Sequence, residues 1–135
     1  MQYWLVKSEP FKWSWDQHVK KGVQGWDGVR NYQASNNMKA MQIGDQAFFY
    51  HSNIGKEIVG VVEISVAGIP DPTDPEGKWA AVKVRPLRKL PNTVTLAQIK
   101  ADERLADIEL VRQSRLSVAE IRPSEWEMLL EMAGE

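Results

Sequence analysis

Ala47-Phe48-Phe49-Tyr50-His51-Ser52, followed by Gly55-Lys56 and then Glu57–Ala67, is the stretch whose reading decides the fold. Its first part carries large residues at consecutive positions, which suits a central strand covered on both faces. Gly55-Lys56 turns the chain back. Ile58, Val62, Ile64 and Val66 then alternate as one inward face of a second strand, so the two segments read as a hairpin. Gly60 in that row leaves room for a bulge or a close packing contact. The first strand of the hairpin runs out at His51-Ser52-Asn53, polar groups at the end of a buried strand.

On the N-terminal side, Tyr3–Val6 is a short β-prone run that stops at Lys7-Ser8-Glu9-Pro10. Ser14 with Gln17 forms a capping box that opens a short helix, with Trp15 and Val19 expected on its buried face and Gly22 at its end. Trp13 and Trp15 are read as covers for the core. Trp26-Asp27-Gly28-Val29-Arg30-Asn31-Tyr32 then sets a turn between an indole and a cluster of directional polar groups. A planar ligand with polar edges, such as a nucleobase, needs that combination of stacking face, amide and guanidinium. The same residues also suit packing: Trp26 as a core plug, Arg30 paired with a carboxylate, and Asn31 as a helix N-cap. Ala34, Met38 and Met41 recur at helical spacing, which predicts a helix over about 31–42.

On the C-terminal side, Gly68–Gly77 holds three prolines and reads as a surface loop. Trp79–Leu90 resumes as strand. Thr95 with Gln98 gives a second capping box, and Leu105, Ile108 and Val111 suggest a 3₁₀ turn or short helix. Leu116–Ile121 is expected to be the last strand. Pro123 begins a final helix with Trp126, Leu129, Leu130 and Ala133 inward, and four glutamates with no cation on its outer side. Strands separated without regular βαβ alternation predict one α+β domain over 1–135, built on a mixed, strongly bent sheet.

The 135 residues suffice for a substantial core, and no cysteine is present for a disulfide, thiolate nucleophile or thiolate metal site. The N-terminus does not read as a signal peptide, and no apolar run approaches the ~20 residues of a membrane span, so a cytoplasmic protein, or in a nucleated cell a nuclear one, is expected. A net charge of −1 argues against a general charge-driven nucleic-acid binder. The charge is uneven, however. Residues 1–100 carry a net +4 and residues 101–135 a net −5, so phosphate contacts should come mainly from the first hundred residues and be modest in strength.

With only His18 and His51, no metal-ligand spacing appears, and neither do the glycine-rich nucleotide loops. No metal and no cofactor are expected. A base at His51 acting with Ser52, Ser8 or Glu9 would need an orienting third group and an oxyanion site, and the sequence supplies neither. We read no catalytic residues.

Taken as an ordered set, several segments resemble the EVE domain family, a branch of the PUA-like superfamily similar to the YTH domain. They are Tyr3-Trp4-Leu5-Val6-Lys7-Ser8-Glu9-Pro10, Trp26 to Ala34, Phe48 to Asn53, Ile58-Val59-Gly60, Pro70-Asp71-Pro72-Thr73 and Leu110 to Val118. The resemblance implies a PUA-like, partly open β-barrel with flanking short helices and a pocket for a modified base. In YTH domains that base is N6-methyladenine. For EVE proteins the usual proposal is a modified cytosine, more often in DNA than in RNA. Lys7 and Ser8 match the Lys-Ser ending the first strand of both families, and Trp26 stands where a YTH domain places a cage tryptophan. Tyr50, His51 and Ser52 border the same pocket. Arg30, Asn31, Arg112 and Arg115 belong to the EVE pattern alone. Where many EVE sequences have an aromatic before Pro-Asp-Pro, this chain has Ile69, which leaves Trp79 or the 68–77 loop to complete the pocket.

The expected function is thus a non-enzymatic reader of a modified base, with nucleic acid as partner. The base would lie against Trp26, its edge held by Asn31, Ser8 and Ser52, and the phosphates by Lys7, Arg30 and Arg115. The alternatives are a PUA-like RNA-binding module acting on tRNA or rRNA, and a small-molecule or enzymatic site around His51.

Overall fold

A computed structural model describes all of residues 1–135. The hairpin forms as the sequence predicts: β3 (Gln46–His51) pairs antiparallel with β4 (Glu57–Pro70), and Ala47 to Tyr50 are buried. On its other side β3 pairs in parallel with β1 (Tyr3–Ser8), which in turn pairs antiparallel with β6 (Val118–Ile121). β4 pairs with β5 (Ala80–Thr95), and β5 with the three-residue β2 (Gln24–Trp26). The result is one open six-stranded mixed sheet in the order β2-β5-β4-β3-β1-β6.

The two long strands do not run straight. Their ladder shifts register four times between Ile58 and Ile69, and β3 against β4 shifts once more at Phe49/Tyr50. Each extra residue bends the strand and sharpens its twist. The sheet therefore curls strongly, as an α+β reading with a bent mixed sheet requires.

One of these irregularities makes room for a helix. α1 (Trp15–Lys21) starts at the Ser14–Gln17 capping box and ends at Gly22, whose positive φ of 85° suits glycine. Its Trp15 ring lies flat against the backbone of Gly60, so closely that a Cβ there would come within 2.5 Å of the indole. His51 Nε2 accepts the backbone N–H of Trp15 at 3.0 Å, satisfying a donor that the helix itself leaves free. The second buried residue of α1 is His18, not Val19, which is 52% exposed. A seven-residue helix buries only a narrow stripe, and the i, i+3 pair of Trp15 and His18 fills it.

The remaining helices are short and capped where the sequence indicates. α2 (Tyr32–Ala40) begins at Asn31, whose side chain accepts from Ala34 N–H at 2.9 Å, and buries Ala34 and Met38. α3 (Leu96–Ala101) follows the Thr95–Gln98 box, a 3₁₀ turn covers Glu103–Leu105, and α4 spans Glu109–Arg112. α5 (Pro123–Met132) lays Trp126 on Phe48, with centroids 4.0 Å apart, and against Tyr3 at 4.3 Å. One of its glutamates is not solvated: Glu125 is buried and accepts from the backbone and guanidinium of Arg122.

The segment read as a loop over Gly68–Gly77 is partly strand, since Ile69 and Pro70 still pair with Ala81 and Ala80. The rest is ordered by two carboxylates. Asp74 accepts from the backbone N–H groups of Glu76, Lys78 and Trp79, and the buried Asp71 reaches back to Gly28 and Arg30. No helix is long and apolar enough to cross a membrane.

Gly60→Ala should destabilise the fold by about 1–3 kcal/mol, the usual cost of forcing extra volume into a packed site. Urea unfolding at neutral pH measures it, and an unchanged midpoint would mean that Trp15 yields freely.

Candidate functional site

Because the sheet curls, β2 at one edge faces β1 and the loop before β6 across a cavity of about 650 Å³. From the β1 side come Lys7 and Ser8, with Glu9, Lys12 and Trp13 in the loop that follows; from β2 come Gln24, Gly25 and Trp26, with Asp27 behind them. Ser52 enters from the end of β3, and Ser114, Arg115 and Ser117 from the loop before β6. The parallel pairing of β1 with β3 sets Ser8 beside His51, and Ser52 N–H donates to the Ser8 carbonyl at 2.9 Å. Polar groups thus leave the sheet together at one end.

Only two lining residues are apolar, Trp13 and Trp26. Both are half-buried, and both rest on the same imidazole. Trp13 Nε1 donates to His18 Nδ1 at 3.3 Å, and the His18 and Trp26 rings meet edge-on at 6.4 Å and 89°. Trp26 also packs edge-on against Phe49, which stacks on His18 at 5.5 Å. His18 is fully buried, and burial pushes its pKa down to about 4. It is therefore neutral at physiological pH. Since Nδ1 accepts from Trp13, its proton sits on Nε2, which has no hydrogen-bond partner.

Of the residues the sequence proposes, the structure brings Lys7, Ser8, Trp26, Ser52 and Arg115 to this cavity. Lys7 Nζ donates to the Ser114 carbonyl at 2.8 Å and lies over the Tyr50 ring, and burial lowers its pKa. Ser8 Oγ donates to the Trp13 carbonyl, which helps to hold that indole in place. Arg115 makes no hydrogen bond or ion pair within the protein and remains available.

Four others lie outside it. Arg30 binds Asp71 at 3.0 Å and Thr73 Oγ1 at 3.0 Å, and its guanidinium covers Trp79. Burial alone would raise the Asp71 carboxyl. The bonds from Thr73, Arg30 and Gly28 outweigh that and hold it at about 2. Asn31 caps α2 and borders a separate recess of about 350 Å³ with Gln33, Arg112 and Gln113, which meets the first cavity at Ser114 and Arg115. Tyr50 is buried, and desolvation pushes its pKa up to about 12. His51 is occupied by the Trp15 N–H, and its pKa is lowered by burial against the opposing charges of Glu57 and Asp16. Trp79 sits with Tyr32 and Arg30 at the 71–79 loop, so it does not complete the cavity.

The second wall is Trp13, which sequence reasoning assigns to the core. The signal was present: the capping box fixes Ser14 as the N-cap, so Trp13 precedes the helix and has no helical face to share with Trp15. Glu9, Asp27, Ser114 and Ser117 stand in stretches that the sequence singles out, whereas Lys12 and Gln24 join the cavity only through tertiary structure.

The family model described as the EVE domain matches residues 2–132. Human thymocyte nuclear protein 1 is 31% identical over 169 residues, covering 96% of this chain and 73% of the human protein. Among solved structures, Rpa0253 from Rhodopseudomonas palustris is 51% identical with a TM-score of 0.95, covering 99% of this chain and 94% of that one. Human THYN1 protein in complex with 5-methylcytosine containing DNA is 30% identical with a TM-score of 0.92, covering 100% and 99%.

The histidine behind the tryptophans makes stability depend on pH. As pH falls through about 6.5 the unfolded chain protonates His18, while the folded chain does so only near 4. Its contribution is therefore complete above about pH 6.5 and is lost progressively down to 4, a total of about 3 kcal/mol. Chemical denaturation at pH 7.5 and 4.5 should show the loss, and His18→Phe should remove most of this difference. An equal acid loss in the variant would place the sensitivity elsewhere.

Proposed function

The chain belongs to the EVE domain family, with its PUA-like fold, and from that premise we propose that it is a non-enzymatic nucleic-acid reader of a modified base. The observation that carries this reading is the pair of indoles, Trp13 and Trp26, facing a cavity whose other lining residues are all polar or glycine. Pockets of about 300–1,000 Å³ that take apolar small molecules are lined mainly by hydrophobic side chains. This one instead offers flat stacking surfaces and polar edges, the requirements of a nucleobase.

A flipped base would stack against Trp26 and Trp13, with Ser8 and Ser52 beside its edge. Lys7, Lys12 and Arg115, which line the cavity together with the base-contacting groups, would hold neighbouring phosphates. Arg30 and Asn31 do not line the cavity and are bonded to Asp71 and to the start of α2, so we assign them to positioning the Trp26 turn and α2 instead. Human THYN1, bound to 5-methylcytosine containing DNA, supports a modified cytosine as the ligand here and DNA as the polymer. A non-enzymatic role is supported by His51, whose Nε2 is taken up by the protein's own backbone.

Oligonucleotides carrying 5-methylcytosine, 5-hydroxymethylcytosine or cytosine at one position, titrated at fixed salt as DNA and as matched RNA, test the reading. Tighter binding of a modified cytosine is expected, with DNA at least equal to RNA. Trp26→Ala and Trp13→Ala should each weaken binding by about 1–3 kcal/mol, the worth of one stacked base. Equal affinity for modified and plain cytosine removes the modified-cytosine reading, and a marked preference for RNA favours an RNA-binding module.

A further inference from the structure

Gln24 and Trp26 lie two residues apart on β2, so their side chains share one face of the strand, and both line the cavity. Gln24 Oε1 is closed off from solvent and has no hydrogen-bond partner. A buried acceptor without a donor is uncommon, because it has given up water and received nothing in return. Asp27 also lines the cavity, and its carboxylate makes no hydrogen bond and no ion pair within the protein. Glu9, on the β1 side, is instead engaged by Lys12 at 3.6 Å. The wall beside the Trp26 indole therefore carries one unengaged carboxylate and one amide whose buried oxygen has no partner.

An ionised carboxylate can only accept. A glutamine can do either, and because its terminal torsion is broad, a turn of the amide presents its carbonyl to the cavity. Both groups suit a base edge that offers N–H donors. Cytosine carries a 4-amino donor, while thymine has an acceptor oxygen at the same position. The comparison is sharp because 5-methylcytosine and thymine share the 5-methyl group, so stacking and methyl contacts cannot tell them apart.

We infer that Asp27 and Gln24 read the amino edge of the bound base, and that the cavity thereby accepts 5-methylated cytosine and rejects thymine. This rests on the base-reading function proposed above. Asp27 supplies the discrimination, since it repels an acceptor oxygen that Gln24 could accommodate by turning. Gln24 supplies affinity, since its amide makes no hydrogen bond within the protein and can turn its carbonyl onto a ligand amine without breaking one.

The test uses the whole chain and one oligonucleotide sequence with 5-methylcytosine, cytosine or thymine at a single position. The unmodified protein should bind the 5-methylcytosine probe at least about tenfold more tightly than the thymine probe. Asp27→Asn, which can donate, should cut that ratio to below about threefold, chiefly by improving thymine binding. Gln24→Met should weaken 5-methylcytosine binding by about threefold or more, while its thermal midpoint stays equal or rises because an unpaired polar group is gone. Equal binding of the 5-methylcytosine and thymine probes by the unmodified protein overturns the inference and leaves the reader function standing, provided that 5-methylcytosine still exceeds cytosine. Full discrimination retained by Asp27→Asn overturns the role of Asp27, and a lowered midpoint with unchanged affinity in Gln24→Met overturns that of Gln24. Loss of the preference over cytosine overturns the reader function itself.

Discussion

The contact on which the rest of the structure depends is the Trp15 indole against the bare backbone of Gly60. It seats α1 directly on the strand next to β3, and His51 fixes the first turn of that helix by accepting the Trp15 N–H. Once α1 is seated, His18 faces inward one turn later and Trp13 is delivered just before the N-cap. His18 then touches both cavity indoles, by hydrogen bond to Trp13 and by its ring edge to Trp26. A missing Cβ on β4 is thus linked, through one helix and one imidazole, to the spacing of two tryptophans, one in the loop before α1 and the other on β2. Packed interiors transmit such constraints because they have little free volume in which to absorb them.

The second constraint is the curl. In a flat sheet with the order β2-β5-β4-β3-β1-β6, Trp26 on β2 would be four strands away from Ser8 on β1. The register shifts of β4 and β5 bring these strands to opposite sides of one cavity. The turn carrying Trp26 is an edge element with only three paired residues, and it needs a second anchor. Asp71 provides it. Its carboxylate binds Gly28 N–H and the Arg30 guanidinium on one oxygen and Thr73 on the other, so the 71–79 loop holds the turn from behind. Arg30 therefore acts on the cavity at one remove, through the conformation of the turn.

What the sequence revealed and what it hid follow from the range of the interactions. The β3–β4 hairpin, the two capping boxes, the Asn31 cap and the apolar face of α2 were legible because each is written within a few residues. Lys7, Ser8, Trp26, Ser52 and Arg115 could be nominated as polar or aromatic residues at the ends of strands and at turns. Their convergence could not, because it depends on bulges that no local pattern announces. Arg30 was ambiguous for the same reason: its partner Asp71 lies 41 residues away and reads, in sequence, as part of a proline-rich loop. Val19 and His18 show the opposite error. Apolar periodicity favoured the valine, whereas the fold buries the histidine, because an imidazole can both fill the site and accept from Trp13.

The modest charge of the chain fits the function proposed for it. A protein that finds a rare modified base must discriminate against a large excess of unmodified polymer, and every phosphate contact strengthens binding to both alike. Many cations around the mouth would raise affinity and erode selectivity. Here Lys7 is bonded to Ser114 and Lys12 to Glu9, Arg115 is left free, and the glutamates of α5 lie elsewhere on the molecule. Flipping a base out of a duplex costs a few kcal/mol before any contact is gained. On the proposed function, with few free cations to offset that cost, a stable complex would form only when the base itself fits between the two indoles and satisfies the acceptors at its edge. Weak electrostatics would then let a methyl-sized difference in the base decide whether the proposed complex persists.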